Sequence, residues 1–381
     1  MKKNKIIYVG ALTVIVIVAI AIWHQQTSQN NRGGFTIGVA VAETGDAAEW
    51  GQGEYQVTKM LVDDFNAQGG LNGQPINLNV EDTKTTGDGT VNAIIKLINI
   101  DHVPVILGPT WMDSYQGANP IAEQAKVVML TPSAAMEVVQ SKQVFTYLFS
   151  TFWPELPEIQ RMTGYMVTHS MQKLAIINDR DPYDSTFSGK LADDAQAKGM
   201  TLVDREQIPV DQNDLRTEIL KIKQFHPDAV FVEINNVGNL GSFMKQVKQL
   251  GLVATVFTTA DAQNQDSVSK FGSYMEGMTY PFPATPSSTA YTSFVKEFQK
   301  KYGVLPSSPS AITTYNAVQA LLEVLKNGAR TGTEIRDALR TMHASGLGTS
   351  DISFNDFGAV NTADFDMKMI HNSQFVTIPN Q

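Results

Sequence analysis

The sequence predicts an α/β protein with two doubly wound parallel-sheet lobes joined by a multi-strand hinge. Three observations support this prediction. Short runs rich in β-branched residues alternate with single amphipathic stretches, which is typical of βαβ units and a parallel sheet. The alternation restarts after Pro154, which divides the strands into two sets. At 381 residues, the chain is also too long for one ordinary core.

The first set of elements begins near Phe35. The order is a strand (FTIGVAVA), a helix (GEYQVTKMLVDDFNAQ), a turn (GGLNGQ), a strand (PINLNVED) and a helix (DGTVNAIIKLINI). A strand (VPVILG), a helix near 114–125 and a strand (KVVMLTP) follow. Because one helix separates each pair of strands, neighbouring strands are expected to run parallel.

The second set repeats this order. Helices near 156–170, 185–198, 213–224 and 238–250 lead in turn to the strands LAIIND, TLVDREQI, DAVFVEI and ATVFTTA. Three helical stretches follow, at 288–302, 309–326 and 332–342. A short β-rich tail, DISFNDFGAVNTADFDMKMI, comes last.

Two proline-punctuated segments mark the joins between the lobes. Residues 149–157 and 279–286 read as extended, because proline fixes φ and blocks helix. The Gly-rich stretch 346–350 is a candidate third crossing, and such segments absorb hinge closure. The predicted division is an N-terminal membrane segment and tether, a first lobe and an inserted second lobe: 1–34; 35–151 and 281–345; 152–280 and 346–381.

The N-terminus combines a basic start with a long apolar run. MKKNK precedes 18 uncharged residues, 6–23, a length that just spans a bilayer. By the positive-inside rule the lysines stay in the cytoplasm and the remainder is exported. Residues 6–23 either remain as an anchor or are cleaved as a signal peptide near Ala19–Ala21. Both alternatives place the body on the periplasmic or extracellular face of the cytoplasmic membrane.

Charge and composition exclude several classes of function. The net charge is −9, and the first 34 residues hold four basic residues and no acidic one, which leaves −13 on the body. An acidic body lacks the electrostatic footprint of a nucleic-acid binder. The absence of cysteine excludes disulfides, thiolate metal sites and cysteine nucleophiles.

The sequence offers no catalytic motif. It has no GxSxG, phosphate-loop or HExxH pattern, and its histidines are scattered, so we predict no enzyme activity, cofactor or metal. Two Ser-x-x-Lys matches, at 170–173 and 267–270, lack their companion motifs. The acids of DRDPYD (179–184) could suggest calcium, but a solvated loop at the rim of a cleft is the favoured interpretation.

Small and polar residues follow two strands of the first lobe. Ligands of open parallel sheets bind beyond the carboxyl ends of strands, and unpaired N–H groups at helix N-termini attract anions. The segments PTWMDS and TPSAA could therefore hold a small anion; alternatively, they are ordinary loops whose Ser and Thr cap helices. Four further side chains lie at or after strand ends: Trp50, Tyr183, Asn236 and Asp261.

The segments ETGDAAEWGQG, FNAQGGLNGQPINLNVED, VILGPT, KVVMLTPSAA and INDRDPYDSTF resemble the branched-chain amino-acid-binding proteins. The resemblance runs from about Phe35 to Phe357, and FNAQGGLNG is specific for the broad family but not for a ligand. These proteins are periplasmic substrate-binding components of ABC importers with the type I periplasmic binding protein fold. The resemblance implies a small-molecule ligand and an ABC permease as partner.

The resemblance also implies a ligand site formed by both lobes. An aromatic wall matches Trp50, a stacking tyrosine matches Tyr183, and the acidic partner of the ligand's ammonium group matches Asp261. A second tyrosine of the family is replaced by Asn236. The family's loops for the ligand carboxylate match two sets of three residues: Met112, Asp113 and Ser114; Ser133, Ala134 and Ala135.

Three departures from the family concern this site. Met112 replaces a serine and Ala135 a threonine, besides Asn236. Two lost hydroxyl hydrogen bonds, at about 1 kcal/mol each, would cost about tenfold or more in affinity. Asp113 would repel an anion unless it points away. The leading ligand is a free amino acid, with a neutral amide or a cationic amine as alternatives.

We therefore expect an extracytoplasmic solute-binding receptor of an ABC importer that binds an amino acid or a related small polar ligand between its lobes. An alternative is a membrane-anchored sensing domain that binds an amide or a small carboxylate and signals to a partner. An enzyme on the same scaffold is the third and remotest class. The sequence leaves open the identity of the ligand, the fate of the anchor, the partner and the oligomeric state.

Overall fold

Two separate β-sheets organise the chain. The computed structural model describes residues 34–379, except 113–114, 141–142, 211, 235–237, 264, 285–288, 307–309, 348, 350 and 362–364. The predicted membrane segment, 6–23, lies outside the described residues. Among those that are described, no helix is long and apolar enough to cross a membrane.

The first sheet is entirely parallel, with the strand order β2-β1-β3-β4-β5. β3 and β4 are fully buried, as central strands covered on both faces must be, and their sequences are accordingly continuous apolar runs. The strands are β1 (Phe35–Val41), β2 (Ile76–Asp82), β3 (Val105–Leu107), β4 (Val128–Thr131) and β5 (Leu148–Ser150).

Four helices connect these strands or follow them: α1 (Ala48–Ala67), α2 (Gly87–Asn99), α3 (Asn119–Ala125) and α4 (Met136–Val139). The Thr86 side chain accepts a hydrogen bond from the Gly89 N–H and caps α2. A 3₁₀ turn, Gln116–Ala118, precedes α3, so the α-helix begins later than the predicted 114.

The second sheet has seven strands in the order β12-β11-β10-β9-β8-β6-β7. Strands β6 to β10 are parallel, and β11 and β12 add an antiparallel edge. The strands are β6 (Lys173–Asp179), β7 (Thr201–Ile208), β8 (Ala229–Glu233), β9 (Thr255–Phe257), β10 (Thr279–Pro283), β11 (Phe365–His371) and β12 (Gln374–Thr377). The helices are α5 (Glu155–Thr168), α6 (Pro182–Ala197), α7 (Arg216–Lys223), α8 (Gly238–Leu250) and α9 (Gln265–Phe271).

The chain then returns to the first sheet. Helices α10 (Thr289–Tyr302), α11 (Ser310–Lys326) and α12 (Gly332–Thr341) follow β10. Residues of α11 and α12 pack in one core with residues of β1, β3 and β4. The capping box of Thr331 and Glu334 fixes the start of α12.

The last crossing lies later in the chain than predicted. Residues 346–381 are predicted to belong to the second lobe, but Ile352 and Phe354 pack in the core of the first sheet. Ala359 pairs with Ser150 of β5, and β11 begins only at Phe365. Within the predicted crossing at 346–350, the Gly346 N–H donates to the Thr349 carbonyl oxygen and closes a local turn.

The predicted fold class is confirmed: two sheets, dominated by parallel pairs, are each covered by helices. Short elements escaped prediction, notably β5, α4, α9 and β12. Strands of three or four residues carry too few side chains for a period to be read from the sequence.

Candidate ligand-binding site between the two sheets

A cavity lies where the carboxyl ends of strands from both sheets meet. Its walls carry five aromatic residues, four carboxyl residues and three others: Trp50, Trp111, Phe152, Trp153 and Tyr183; Glu158, Asp181, Asp184 and Asp261; Ser133, Thr259 and Ala260. Its free volume is about 50 Å³. Since one water needs about 10–15 Å³, this space suits a small ligand of a few non-hydrogen atoms.

Four predicted residues line this one cavity. Trp50 lies in α1 and Ser133 follows β4, both on the side of the first sheet. Tyr183 lies in the first turn of α6 and Asp261 follows β9, both on the side of the second sheet. The arrangement is the one that a site between two lobes requires, although contact with a ligand stays a prediction for each of them.

Three other predicted residues lie away from the cavity walls. Met112 is fully buried in the core of the first sheet, and Ala134 packs in that same core. Ala135 is fully buried at the N-terminus of α4. Asp113, Ser114 and Asn236 lie outside the described residues.

Sequence reasoning missed most of the cavity wall. Phe152, Trp153 and Glu158 belong to the segment that was interpreted as a hinge and to the start of α5. Asp181 and Asp184 belong to DRDPYD, where three acids close together were the available signal. The interpretation of DRDPYD as a solvated loop is wrong, because Asp179, Asp181 and Asp184 are all buried.

Two close backbone contacts position the tryptophans of the first sheet. A Cβ at Gly51, the residue after Trp50, would lie 2.2 Å from the Ala42 carbonyl oxygen, so only glycine lets α1 approach the end of β1 here. A Cβ at Gly108 would lie 2.0 Å from the Ala40 oxygen. After that turn Trp111 adopts a φ of +53°, a left-handed conformation that bulky residues rarely take and that is often found at functional sites.

Hydroxyl groups on the first-sheet side are already hydrogen-bonded. The Ala42 N–H donates to Thr110 Oγ1 at 3.1 Å, and Thr110 donates to Glu54 Oε2 at 2.6 Å. Burial raises the pKa of Glu54 to about 7, which the Thr110 and Ser133 hydroxyls lower in part. The first sheet therefore places a buried carboxyl group behind Ser133.

Two backbone donors of the predicted anion cradle on this side are also engaged. The Trp111 N–H donates to Ser133 Oγ at 3.1 Å, and the Ser133 N–H donates to Thr131 Oγ1 at 3.2 Å. The α4 helix after Ser133 has only four residues, too few for a substantial dipole. These two amides have partners within the protein, contrary to the expectation of unpaired N–H groups.

The second-sheet side holds the carboxyl groups. Asp181 caps α6 by accepting the Tyr183 N–H at 2.9 Å. Trp153 donates its indole N–H to Glu158 Oε2 at 2.7 Å. The other Glu158 oxygen, Oε1, and the Asp184 oxygen Oδ2 are buried without a hydrogen-bond partner among the described residues.

Burial makes these carboxyl groups weak acids. It raises the pKa of Glu158 to about 8, although the hydrogen bond from Trp153 opposes the shift. Burial, and then the Glu49 carboxylate, raise the pKa of Asp261 to about 7. Burial and the Glu233 carboxylate raise the pKa of Asp184 well above its usual range. Carboxyl groups crowded in a cleft with raised pKa values are typical of functional sites.

The described part of the chain contains no cluster of three or more His, Cys, Asp or Glu residues arranged to hold a metal ion. Lys190 pairs with Glu155 at 2.6 Å and does not line the cavity. Lys368 donates to Gln263 at 3.0 Å, also away from the cavity wall. The acids of the wall thus face one another without a basic side chain in the described lining.

Comparison with known proteins identifies the fold and the family. Residues 34–380 match the family described as periplasmic binding protein. The leucine-specific-binding protein of Salmonella typhimurium is 23% identical over 299 residues, which are 77% of this chain and 79% of that protein. Such relatives are named as binding proteins rather than as enzymes.

Two solved structures share the fold. One is the branched-chain amino acid transporter substrate binding protein LivJ from Streptococcus pneumoniae in complex with isoleucine, with a TM-score of 0.79, 20% identity, and coverage of 91% of this chain and 100% of that one. The other is a solute binding protein of an ABC transporter from Rhodopseudomonas palustris in complex with 3,4-dihydroxy benzoic acid, with a TM-score of 0.78, 21% identity, and coverage of 91% and 96%.

These matches confirm the resemblance inferred from the sequence. The family is one of proteins that act outside the cytoplasmic membrane and bind small molecules for ABC permeases. The chain belongs to the periplasmic binding protein family.

Proposed function

We propose that this protein is the receptor of an ABC importer and clamps an amino acid or a related small polar solute between its two lobes. One observation carries the proposal: Trp50 and Ser133 from the first sheet line the same cavity as Tyr183 and Asp261 from the second. A site that needs both lobes is complete only when they are closed on each other.

The mechanism is closure around the ligand. Trp50 packs against the hydrophobic core of the second sheet and also lies edge-on to Trp111, with ring centroids 6.2 Å apart. A solute that contacts both sides binds the closed form better, and only this difference in affinity can shift the population of the two forms. The closed form is then the one that a permease recognises.

The acidic side chains that line the cavity indicate which class of ligand it binds. The related structures bind isoleucine in one case and 3,4-dihydroxy benzoic acid in another. For this chain, the acids of the second sheet favour a solute with an amino group, and we assign its ammonium group to the side of the cavity that carries Asp261, Glu158 and Asp184. The aromatic wall of Trp50 and Tyr183 would hold the apolar part.

Isothermal calorimetry against amino acids, amides, amines and small carboxylates tests the proposal. At least one member should bind with a Kd below about 1 mM, and small-angle scattering should show compaction on binding. Asp261→Asn should weaken an amino-bearing ligand about tenfold or more, the scale of a charged hydrogen bond. Asp214→Asn, at an exposed acid paired with Arg216, is the matched control and should change nothing.

Two results would count against transport. One is the absence of binding by every member of the panel at millimolar concentration. The other is turnover of a bound member, which would indicate an enzyme on this scaffold. Recovery of a permease with the closed, ligand-bound protein would support the importer over a sensor.

A further inference from the structure

The walls of the cavity suggest a narrower class of ligand than the family name implies. This inference rests on the proposed function, because it concerns the same cavity. Five of the lining residues are aromatic and four carry a carboxyl group, and the described lining contains no lysine, arginine or histidine. When their carboxyl groups are ionised, such walls attract cations and repel anions.

Two carboxyl oxygens in the wall lack partners. Glu158 is 1% exposed and Asp184 is 3% exposed, yet Glu158 Oε1 and Asp184 Oδ2 have no hydrogen-bond donor among the described residues. Buried polar atoms are normally paired, and a missing partner at a site marks the place of an absent group. Glu158 also accepts a backbone hydrogen bond from Ala260, and Asp184 shares a hydrogen bond with Asp179. Each acid nevertheless has one unpartnered oxygen that can accept an N–H group of a ligand.

The aromatic residues suit the same kind of ligand. Indole rings are the best aromatic partners of a cation, and three tryptophans line this small cavity: Trp50, Trp111 and Trp153. The described residues hold no cluster of acids arranged for a metal ion. The cation is therefore an organic one, with alkyl groups for the aromatic faces and N–H donors for the carboxyl groups.

The described residues of the first-sheet side give no support to a carboxylate on the ligand. The amides of Trp111 and Ser133 are bonded to Ser133 Oγ and Thr131 Oγ1, and the buried Glu54 lies behind them. A carboxylate placed here would meet engaged donors and a nearby acid instead of free N–H groups. This face differs from the anion cradle that an α-amino acid needs.

We propose that the cavity binds a small organic ammonium ion that lacks a carboxylate group, held by Glu158 and Asp184 and enclosed by the tryptophans. The groups around the two acids are themselves acidic: Glu155 and Asp261 act on Glu158, and Asp179, Asp181 and Glu233 act on Asp184. A positive ligand would relieve this repulsion, whereas a negative one would add to it.

Protons provide an independent readout. Burial raises the pKa of Glu158 to about 8 and of Asp261 to about 7, so both are partly protonated near neutral pH. A bound cation favours the ionised carboxylate and releases these protons. A bound anion would instead cause proton uptake, so the sign of the proton change separates the two kinds of ligand.

The test compares three compounds with the same branched alkyl group: 3-methylbutylamine, L-leucine and 3-methylbutanoate. Calorimetry uses the full chain in a mild detergent, at pH 7.5, in two buffers of different ionisation enthalpy. The amine should bind at least about tenfold tighter than leucine and release protons, and 3-methylbutanoate should be weaker than both. Leucine binding as tightly as the amine, or proton uptake, would overturn the inference.

Single variants assign the contacts. Glu158→Gln and Asp184→Asn should each weaken the amine by about 10- to 100-fold, because each removes a charged partner. Asp214→Asn should leave the affinity unchanged. Thermal melts verify the folding of each variant, and if Asp184→Asn fails to fold, Glu158→Gln alone decides. Unchanged amine affinity in a folded Glu158→Gln protein would refute the assignment.

The same panel separates the two proposals. If leucine or 3-methylbutanoate binds and the amine does not, the solute receptor stands and the inference about charge fails. If no compound of the wider panel of amino acids, amides, amines and carboxylates binds, the solute receptor itself fails.

Discussion

The two sides of the cavity differ in what they leave unsatisfied. On the first-sheet side, the lining residues are Trp50, Trp111 and Ser133, and the Thr110 hydroxyl and the Ser133 amide and hydroxyl oxygen have partners within the protein. The Glu54 oxygen Oε1 lacks a partner among the described residues, but Glu54 does not line the cavity. On the second-sheet side all four lining acids occur, and two of their oxygens lack a donor. The first-sheet side therefore contributes aromatic rings but no acid to the wall, whereas the second-sheet side contributes all four acids together with Phe152, Trp153 and Tyr183.

The difference follows from how each lobe is built. On the first-sheet side, close backbone contacts at Gly51 and Gly108 position Trp50 and Trp111. These contacts lie within the protein and form without a ligand. Three acids of the second-sheet side, Glu158, Asp181 and Asp184, lie at the starts of α5 and α6, where helix N-termini partly offset negative charge. The fourth, Asp261, lies in the 3₁₀ turn after β9. In our proposal, a cationic ligand reduces the repulsion that remains between these acids.

The largest expected effect is on stability as a function of pH. Glu158 and Glu54 hold protons more tightly in the folded than in the unfolded chain, with pKa values of about 8 and about 7. Their contribution to stability is complete below about pH 4.5 and is lost as the pH rises through these values. Without ligand, the free energy of unfolding should fall by a few kcal/mol between pH 5.5 and 9.

Urea denaturation at both pH values measures this fall, and two variants sharpen the comparison of the lobes. Glu158→Gln should remove more of the pH dependence than Glu54→Gln, because the pKa of Glu158 is raised further. If the two variants reduced the pH dependence equally, burial of a carboxyl group would destabilise the protein at high pH to a similar extent on both sides of the cavity.

The next effect is on affinity at the charged side. The double variant Glu158→Gln/Asp184→Asn should weaken binding of 3-methylbutylamine by more than about 100-fold, since both charged acceptors are lost. Calorimetry gives the affinity, and a melt without ligand verifies folding. If the double variant lost less affinity than either single variant, the acids of the second-sheet side would not be the groups that bind the charge of the amine.

A smaller effect on affinity is expected at Trp50, an aromatic residue of the first-sheet side. Trp50→Ala should reduce the affinity for the same amine by about 3- to 30-fold, the range for a cation over an indole ring. Because Trp50 is only partly buried, the melting temperature without ligand should change little. Trp50→Phe, which retains a ring, should recover part of the affinity; no difference between the two variants would argue against an aromatic contact.

The smallest effect on affinity is expected at Glu54, which lies behind the lining residues of the first-sheet side. Glu54 is buried and does not line the cavity, so Glu54→Gln should change amine affinity by less than about threefold. Asp214→Asn, a substitution at an exposed site, is the control: its change in affinity shows how large a difference the measurement produces without a change at the cavity. A tenfold loss in Glu54→Gln would mean that the first side also contributes charge, and the contrast between the lobes would disappear.

The sequence by itself determined the class of fold and part of the site. Alternation of apolar runs with single helices predicted two parallel sheets, because a buried strand and an amphipathic helix each have a local period. Residues that directly follow strands, such as Ser133 and Asp261, were placed at the cavity because parallel strands share one carboxyl edge.

Only the tertiary structure decided the character of the walls. Trp153 and Glu158 come from a crossing segment and the helix after it, where no local pattern shows which side chains face the cavity. Likewise, nothing in TPSAA shows that the Ser133 amide is bonded to Thr131. Hydrogen-bond partners, burial and the pKa shifts that they cause depend on contacts between distant segments, and those contacts exist only once both sheets have packed.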